Sequence, residues 1–155
     1  MEFISNSEQK TGELAARLAK SLQPGDVVFL NGPLGAGKSV FARALIRALT
    51  DEPELDVPSP TFTLLQTYDC NKGIIWHFDL YRIKDSEEVY EIGWEEALYD
   101  GINLIEWPER LESLAPTDRL DIILSQNSEQ KEQAEQRTIT MIPKGTWKDR
   151  DLKDL

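Results

Sequence analysis

The chain has 155 residues, 28 of them acidic and 17 basic, with a net charge of −11 and an isoelectric point near 4.6. That length suits a single domain burying about two thirds of its unfolded surface, with no room for a second catalytic domain. The acidic balance argues against direct binding of DNA or RNA, whose affinity rests mostly on neutralised phosphates, and no apolar run approaches the roughly 18 residues of a membrane span.

Met1-Glu2-Phe3-Ile4-Ser5 has no basic region followed by an apolar core, so no secretory signal is expected and the expected location is cytoplasmic. Cys70 stands alone, which leaves neither an intramolecular disulfide nor a cysteine cluster for zinc.

In chain order, residues 2–5 alternate weakly as a short strand. Ser5-Asn6-Ser7-Glu8 then has the form of a capping box, with a glutamate three residues after a serine. The helix it opens carries Leu14, Leu18 and Leu22 on one face, and Pro24-Gly25 ends it.

Val27-Val28-Phe29-Leu30 is an apolar strand. It leads into Gly32-Pro33-Leu34-Gly35-Ala36-Gly37-Lys38-Ser39, which fits G-x-x-x-x-G-K-[ST] without mismatch, and residues 40–49 continue as a helix with Phe41, Leu45 and Leu49 buried. Strand, glycine loop and helix together read as a phosphate-binding loop. The glycines let backbone N–H groups turn inward around a polyphosphate, and the helix N-terminus adds partial positive charge. The candidate nucleotide-binding residues are Gly32, Pro33, Leu34, Gly35, Ala36, Gly37, Lys38, Ser39 and Val40. Lys38 is placed to reach the β and γ phosphates and Ser39 to ligate Mg²⁺.

Three prolines within residues 50–60 make a loop there. It ends in Ser59-Pro60-Thr61-Phe62 before a β-rich run over residues 62–68. Turn chemistry at residues 69–73 and a strand from Ile74 follow, and so short a connection permits only an antiparallel hairpin. The sheet is therefore mixed. A helix start at Ser86-Glu87-Glu88, a break at Gly93-Trp94, a short helix over residues 95–99 and a strand over residues 102–105 come next. After a helical turn near residues 110–114, strands are expected over residues 120–124 and 138–142, with a polar loop over residues 125–136. The domain is expected to span residues 1–142, and the tail over residues 143–155, which has no core pattern beyond Trp147, reads as loosely packed or disordered. Residues 84–112 hold ten acids against two bases, a face suited to solvent or to a basic protein partner.

Two strands end in a carboxylate, Ile74-Ile75-Trp76-His77-Phe78-Asp79 and Leu104-Ile105-Glu106. A bound nucleotide needs such a residue near its Mg²⁺, at the carboxyl end of a strand beside the loop strand. The favoured division gives Asp79 the metal and Glu106 the attacking water. Ser39, Asp79 and Glu106 are the candidate metal-site residues, and Lys38, Glu106 and Thr61 the candidate catalytic ones. Thr61 stands where switch proteins place a hydroxyl that responds to the γ-phosphate. Arg82 either stabilises charge on the transferred phosphoryl group or pairs with Asp85. His77, the only histidine, reads as packed or hydrogen-bonded within its strand. Asn71-Lys72-Gly73-Ile74 lacks the final Asp of a guanine-recognition motif, so ATP is preferred over GTP.

The phosphate loop, Ser59-Pro60-Thr61-Phe62, His77-Phe78-Asp79-Leu80-Tyr81-Arg82 and Ile105-Glu106-Trp107-Pro108-Glu109 together resemble the bacterial TsaE (YjeE) family over roughly residues 5–142. The resemblance implies a single α/β P-loop NTPase domain, with a mixed sheet containing an antiparallel hairpin and flanked by helices. It implies an ATPase of tRNA threonylcarbamoyladenosine biosynthesis that uses ATP/ADP and Mg²⁺ and acts with a TsaB–TsaD-type heterodimer, one subunit of which modifies adenosine 37. It gives phosphate and Mg²⁺ binding to Lys38 and Ser39, a switch-like segment to Thr61, the metal-associated acid to Asp79, and nucleotide turnover to Glu106 with Trp107. Contact with tRNA is then only indirect, and no direct DNA binding or membrane association is expected. A small-molecule or nucleotide kinase and a non-hydrolysing nucleotide sensor are the competing readings.

Overall fold

The computed structural model describes residues 1–126 and 136–155. Among the described residues ten helices and strands follow one another: β1 (Glu2–Ser5), α1 (Glu8–Ser21), β2 (Val27–Asn31), α2 (Lys38–Thr50), β3 (Leu65–Cys70), β4 (Gly73–Asp79), α3 (Trp94–Asp100), β5 (Ile102–Glu106), β6 (Arg119–Gln126) and β7 (Arg137–Lys144). Short 3₁₀ segments occupy Ser86–Ile92, Pro108–Leu114 and Gly145–Asp149.

The strands form one sheet in the order β1-β7-β6-β2-β5-β4-β3. β6, β2, β5 and β4 run parallel, whereas β3, β7 and β1 join antiparallel. The mixed sheet and the β3–β4 hairpin are as the sequence predicts. The inner strands are buried on both faces, which is why Val27–Leu30 of β2 reads as a continuous apolar run, and why β5 is apolar up to Glu106 apart from Asn103, whose buried amide donates to the Asp26, Ala97 and Gly101 carbonyls.

Alternation along each strand divides the core. Val28, Leu30, Ile75 and Leu104 point to the side covered by α1 and α2, where they meet Leu14, Leu18, Phe41 and Leu45. Val27, Phe29, Trp76, Phe78 and Ile105 point to the other side, against Val89, Trp94 and Leu111. By the same parity His77, Asp79 and Glu106 belong to the α1/α2 side, which is the side that carries the phosphate loop.

Four local expectations shift. The cap of α1 is Ser7, whose hydroxyl accepts from the Lys10 amide, while Ser5 bonds the Thr11 hydroxyl at 2.7 Å instead of opening a capping box. β3 starts at Leu65 rather than Phe62, because Leu64 takes a left-handed backbone (φ 67°) after its N–H bonds the Pro60 carbonyl, and Phe62 is left 82% exposed. The segment after Pro143 packs: Trp147 and Leu152 are buried in the α1/α2-side core, and Arg150 stacks 3.9 Å from the Trp147 ring while pairing with buried Asp26. One aromatic anchor and one bidentate ion pair hold that segment where no periodic pattern foretells it. The loop read over residues 125–136 lies mostly outside the described residues, and Ser125 and Gln126 extend β6.

Candidate nucleotide site

The phosphate loop leaves the sheet at the carboxyl end of β2 and returns as α2. Gly32 is required by close approach, since a Cβ there would stand 2.5 Å from the Leu124 carbonyl oxygen. Gly37, with φ 100°, caps α2 without a side-chain hydrogen bond, so the first amides of that helix remain open to an anion.

Leu34, Gly35, Gly37, Lys38, Ser39, Val40, Thr61, Asp79 and Glu106 line one cleft of about 430 Å³. Nine predicted site residues therefore converge, although Thr61, Asp79 and Glu106 arrive from separate parts of the chain. Gly32, Pro33 and Ala36 shape the loop without lining the cleft, and Ala36 is buried.

The pairing of β4 with β5 sets the two carboxylates side by side, with Asp79 in register with Glu106. Asp79 Oδ2 accepts from the Thr61 hydroxyl at 2.9 Å and Oδ1 from the Tyr81 amide at 3.0 Å. Glu106 Oε2 lies 2.8 Å from His77 Nε2. Lys38 is buried with its ammonium 3.6 Å from the Trp107 ring centre, and Trp107, at a left-handed φ of 57°, also meets Tyr81 at 4.9 Å between ring centres. Burial pushes the Lys38 ammonium below the ordinary lysine value, and the carboxylates of Glu106, Glu109 and Asp79 oppose that shift.

Arg82 does not reach this cleft. It stands 5.0 Å from the Phe62 ring, and among the described residues no ion pair joins it to Asp85. Lys72 of the hairpin turn donates to the Leu22 and Ala19 carbonyls at the end of α1, which explains its position without base recognition. Ser59, Tyr81, Glu8, Trp107 and Arg137 complete the cleft lining. Tyr81 has no sequence signal beyond its place in the His77–Arg82 motif, and Arg137 has no local signal, because its strand reaches the loop through sheet topology.

A central strand, glycine loop and helix, facing carboxylates at the ends of neighbouring parallel strands, define a phosphate-loop α/β protein. The chain belongs to the TsaE family: the family model described as "Threonylcarbamoyl adenosine biosynthesis protein TsaE" matches residues 5–139. Curated relatives described as "tRNA threonylcarbamoyladenosine biosynthesis protein TsaE" include one from Rickettsia felis, 46% identical over 83% of this chain and 75% of its own length. Another, from Bacillus subtilis, is 31% identical over 80% of this chain and 77% of its own length. The crystal structure of Bacillus subtilis YdiB superimposes with a TM-score of 0.75 at 26% identity, covering 96% of this chain and 89% of that one.

Proposed function

We propose that this chain is a Mg²⁺-dependent ATPase that supports formation of N6-threonylcarbamoyladenosine at tRNA position 37, acting in the cytoplasm with a TsaB–TsaD-type heterodimer. The observation that carries the reading is the convergence of Lys38, Thr61, Asp79 and Glu106 on one cleft at the phosphate loop. The family and its relatives' descriptions support the biosynthetic role.

Lys38 and the open amides of α2 hold the phosphates, and the adjoining cavity of about 140 Å³, lined by Ser7, Thr11, Val40 and Leu124 among others, takes the base. The residues present fit Mg²⁺. Ser39 and Asp79 line the same cleft, both offer hard oxygen, and Asp79 is anchored by Thr61; this ion takes few protein ligands and keeps water and phosphate oxygens for the rest. When bound, it neutralises charge on the phosphate oxygens. Glu106 orients the attacking water, and Thr61 links the segment preceding β3 to the Asp79 carboxylate. Every acid of residues 84–112 except Glu106 is exposed, and with Phe62 and Leu34 standing out beside the cleft these surfaces suit a protein partner better than nucleic acid.

The test is Mg²⁺-dependent ATP hydrolysis by the purified chain, alone and with the two partner proteins, with Lys38→Ala as the blank. Stimulation by the partners that disappears in Lys38→Ala is expected, and Glu106→Ala should bind ATP without turning it over. Partners that change nothing overturn the coupled role, and a phosphorylated acceptor would replace it with a kinase.

A further inference from the structure

His77 and Glu106 form a buried contact that phosphate binding does not call for. They stand on adjacent parallel strands, β4 and β5, where Asp79 is the register partner of Glu106 and His77 lies two residues before Asp79 on the same face. The imidazole therefore meets the carboxylate diagonally, and Nε2 sits 2.8 Å from Oε2 with the two residues 2% and 3% exposed.

The other ring nitrogen settles the direction of that bond. Nδ1 is buried with no hydrogen-bond partner among the described residues. A proton there would be a buried donor with no acceptor, which costs more than an unmet lone pair. The favoured tautomer carries its hydrogen on Nε2 and donates it to Glu106.

We infer that His77 is a positioning residue: its Nε2–H holds one oxygen of Glu106 and thereby aims the other into the phosphate-loop cleft. The inference rests on the proposed hydrolytic role of Glu106. A glutamate has three rotatable side-chain bonds, and Lys38 is close enough for the Glu106 charge to act on its ammonium. Without a donor behind it, the carboxylate is free to swing toward Lys38 and occupy the ground that phosphate requires. Held by His77, it faces the cleft in one orientation before nucleotide arrives, which lowers the reorganisation left for the chemical step. Asp79 needs no such support, because Thr61 and the Tyr81 amide already hold both of its oxygens.

Two variants and two readouts test this. His77→Phe keeps a flat ring in the strand and removes the donor, whereas His77→Gln offers a side-chain N–H near the place of Nε2–H. In the partner-stimulated assay His77→Phe should lose about ten- to a hundredfold in kcat, the range typical of lost orienting partners, with ATP affinity unchanged and most of the rate restored in His77→Gln. Wild-type kcat in His77→Phe, equal losses in both variants, or a loss confined to ATP affinity overturns the inference. The second readout needs no turnover. Because His77 is the only histidine, ¹⁵N-histidine labelling reports one ring, and a proton found on Nδ1 instead of Nε2 overturns the inference. A crystal structure of His77→Phe in which Glu106 keeps its place does the same. If the wild-type chain hydrolyses nothing, the proposed function fails by itself, and the tautomer and the Glu106 orientation still decide the role of His77.

Discussion

The ammonium of Lys38 rests 3.6 Å from the centre of the Trp107 ring, so the lysine that would meet phosphate is covered by an aromatic face. Such a contact is worth about 1 kcal/mol, and the left-handed backbone of Trp107 adds a cost of about 1 kcal/mol. A phosphate bound by Lys38 would compete with the ring. Trp76, Trp94 and Trp147 are buried elsewhere in the core, so a nucleotide-dependent change in tryptophan emission is expected from Trp107. Titration with MgADP should change emission in the wild type and leave Trp107→Phe silent; an equal response in the variant would assign the signal to another tryptophan.

The Thr61 hydroxyl gives a different handle on the same cleft, through its 2.9 Å bond to Asp79. Hydrogen bonds to charged groups contribute about 1.5–3 kcal/mol, so Thr61→Val should cost about ten- to a hundredfold in partner-stimulated turnover while Thr61→Ser keeps most of it. Rates that match between valine and serine would leave the hydroxyl without a role. In parallel, Mg²⁺ should tighten ATP binding in the wild type and fail to do so in Asp79→Asn, measured by calorimetry with and without a chelator.

The end of the chain contributes to stability. Arg150 donates to both carboxylate oxygens of Asp26, which also accepts from the Gln23 amide at 2.8 Å. Arg150→Ala should destabilise the fold by about 2 kcal/mol in urea unfolding, leaving Asp26 its backbone donor, and Trp147→Ala by about 3–5 kcal/mol through the cavity it opens. A midpoint unchanged by both variants would mean that residues 145–155 leave the core intact when they detach.

The local parts of the site were readable because they obey local rules. The strand, glycine loop and helix around Lys38 occupy consecutive residues, and positive φ at Gly37 and close approach at Gly32 demand glycine wherever that loop occurs. Asp79 and Glu106 stood out because apolar runs that stop at a carboxylate mark strand ends. Phe62 misled because an aromatic beside threonines has strand propensity, whereas the Pro60–Leu64 turn removes it from the sheet.

The phosphate loop, the hairpin that makes the sheet mixed and the acidic surface are each written in residues adjacent along the chain. The contacts between them come from the fold as a whole. The register of β4 on β5 places Asp79 against Glu106 and brings His77 to its carboxylate, Trp107 turns back over Lys38, and Arg150 reaches Asp26 across 124 positions. Strand register and long-range docking depend on which faces the whole chain can bury at once, and that constraint has no signature in any short stretch of residues.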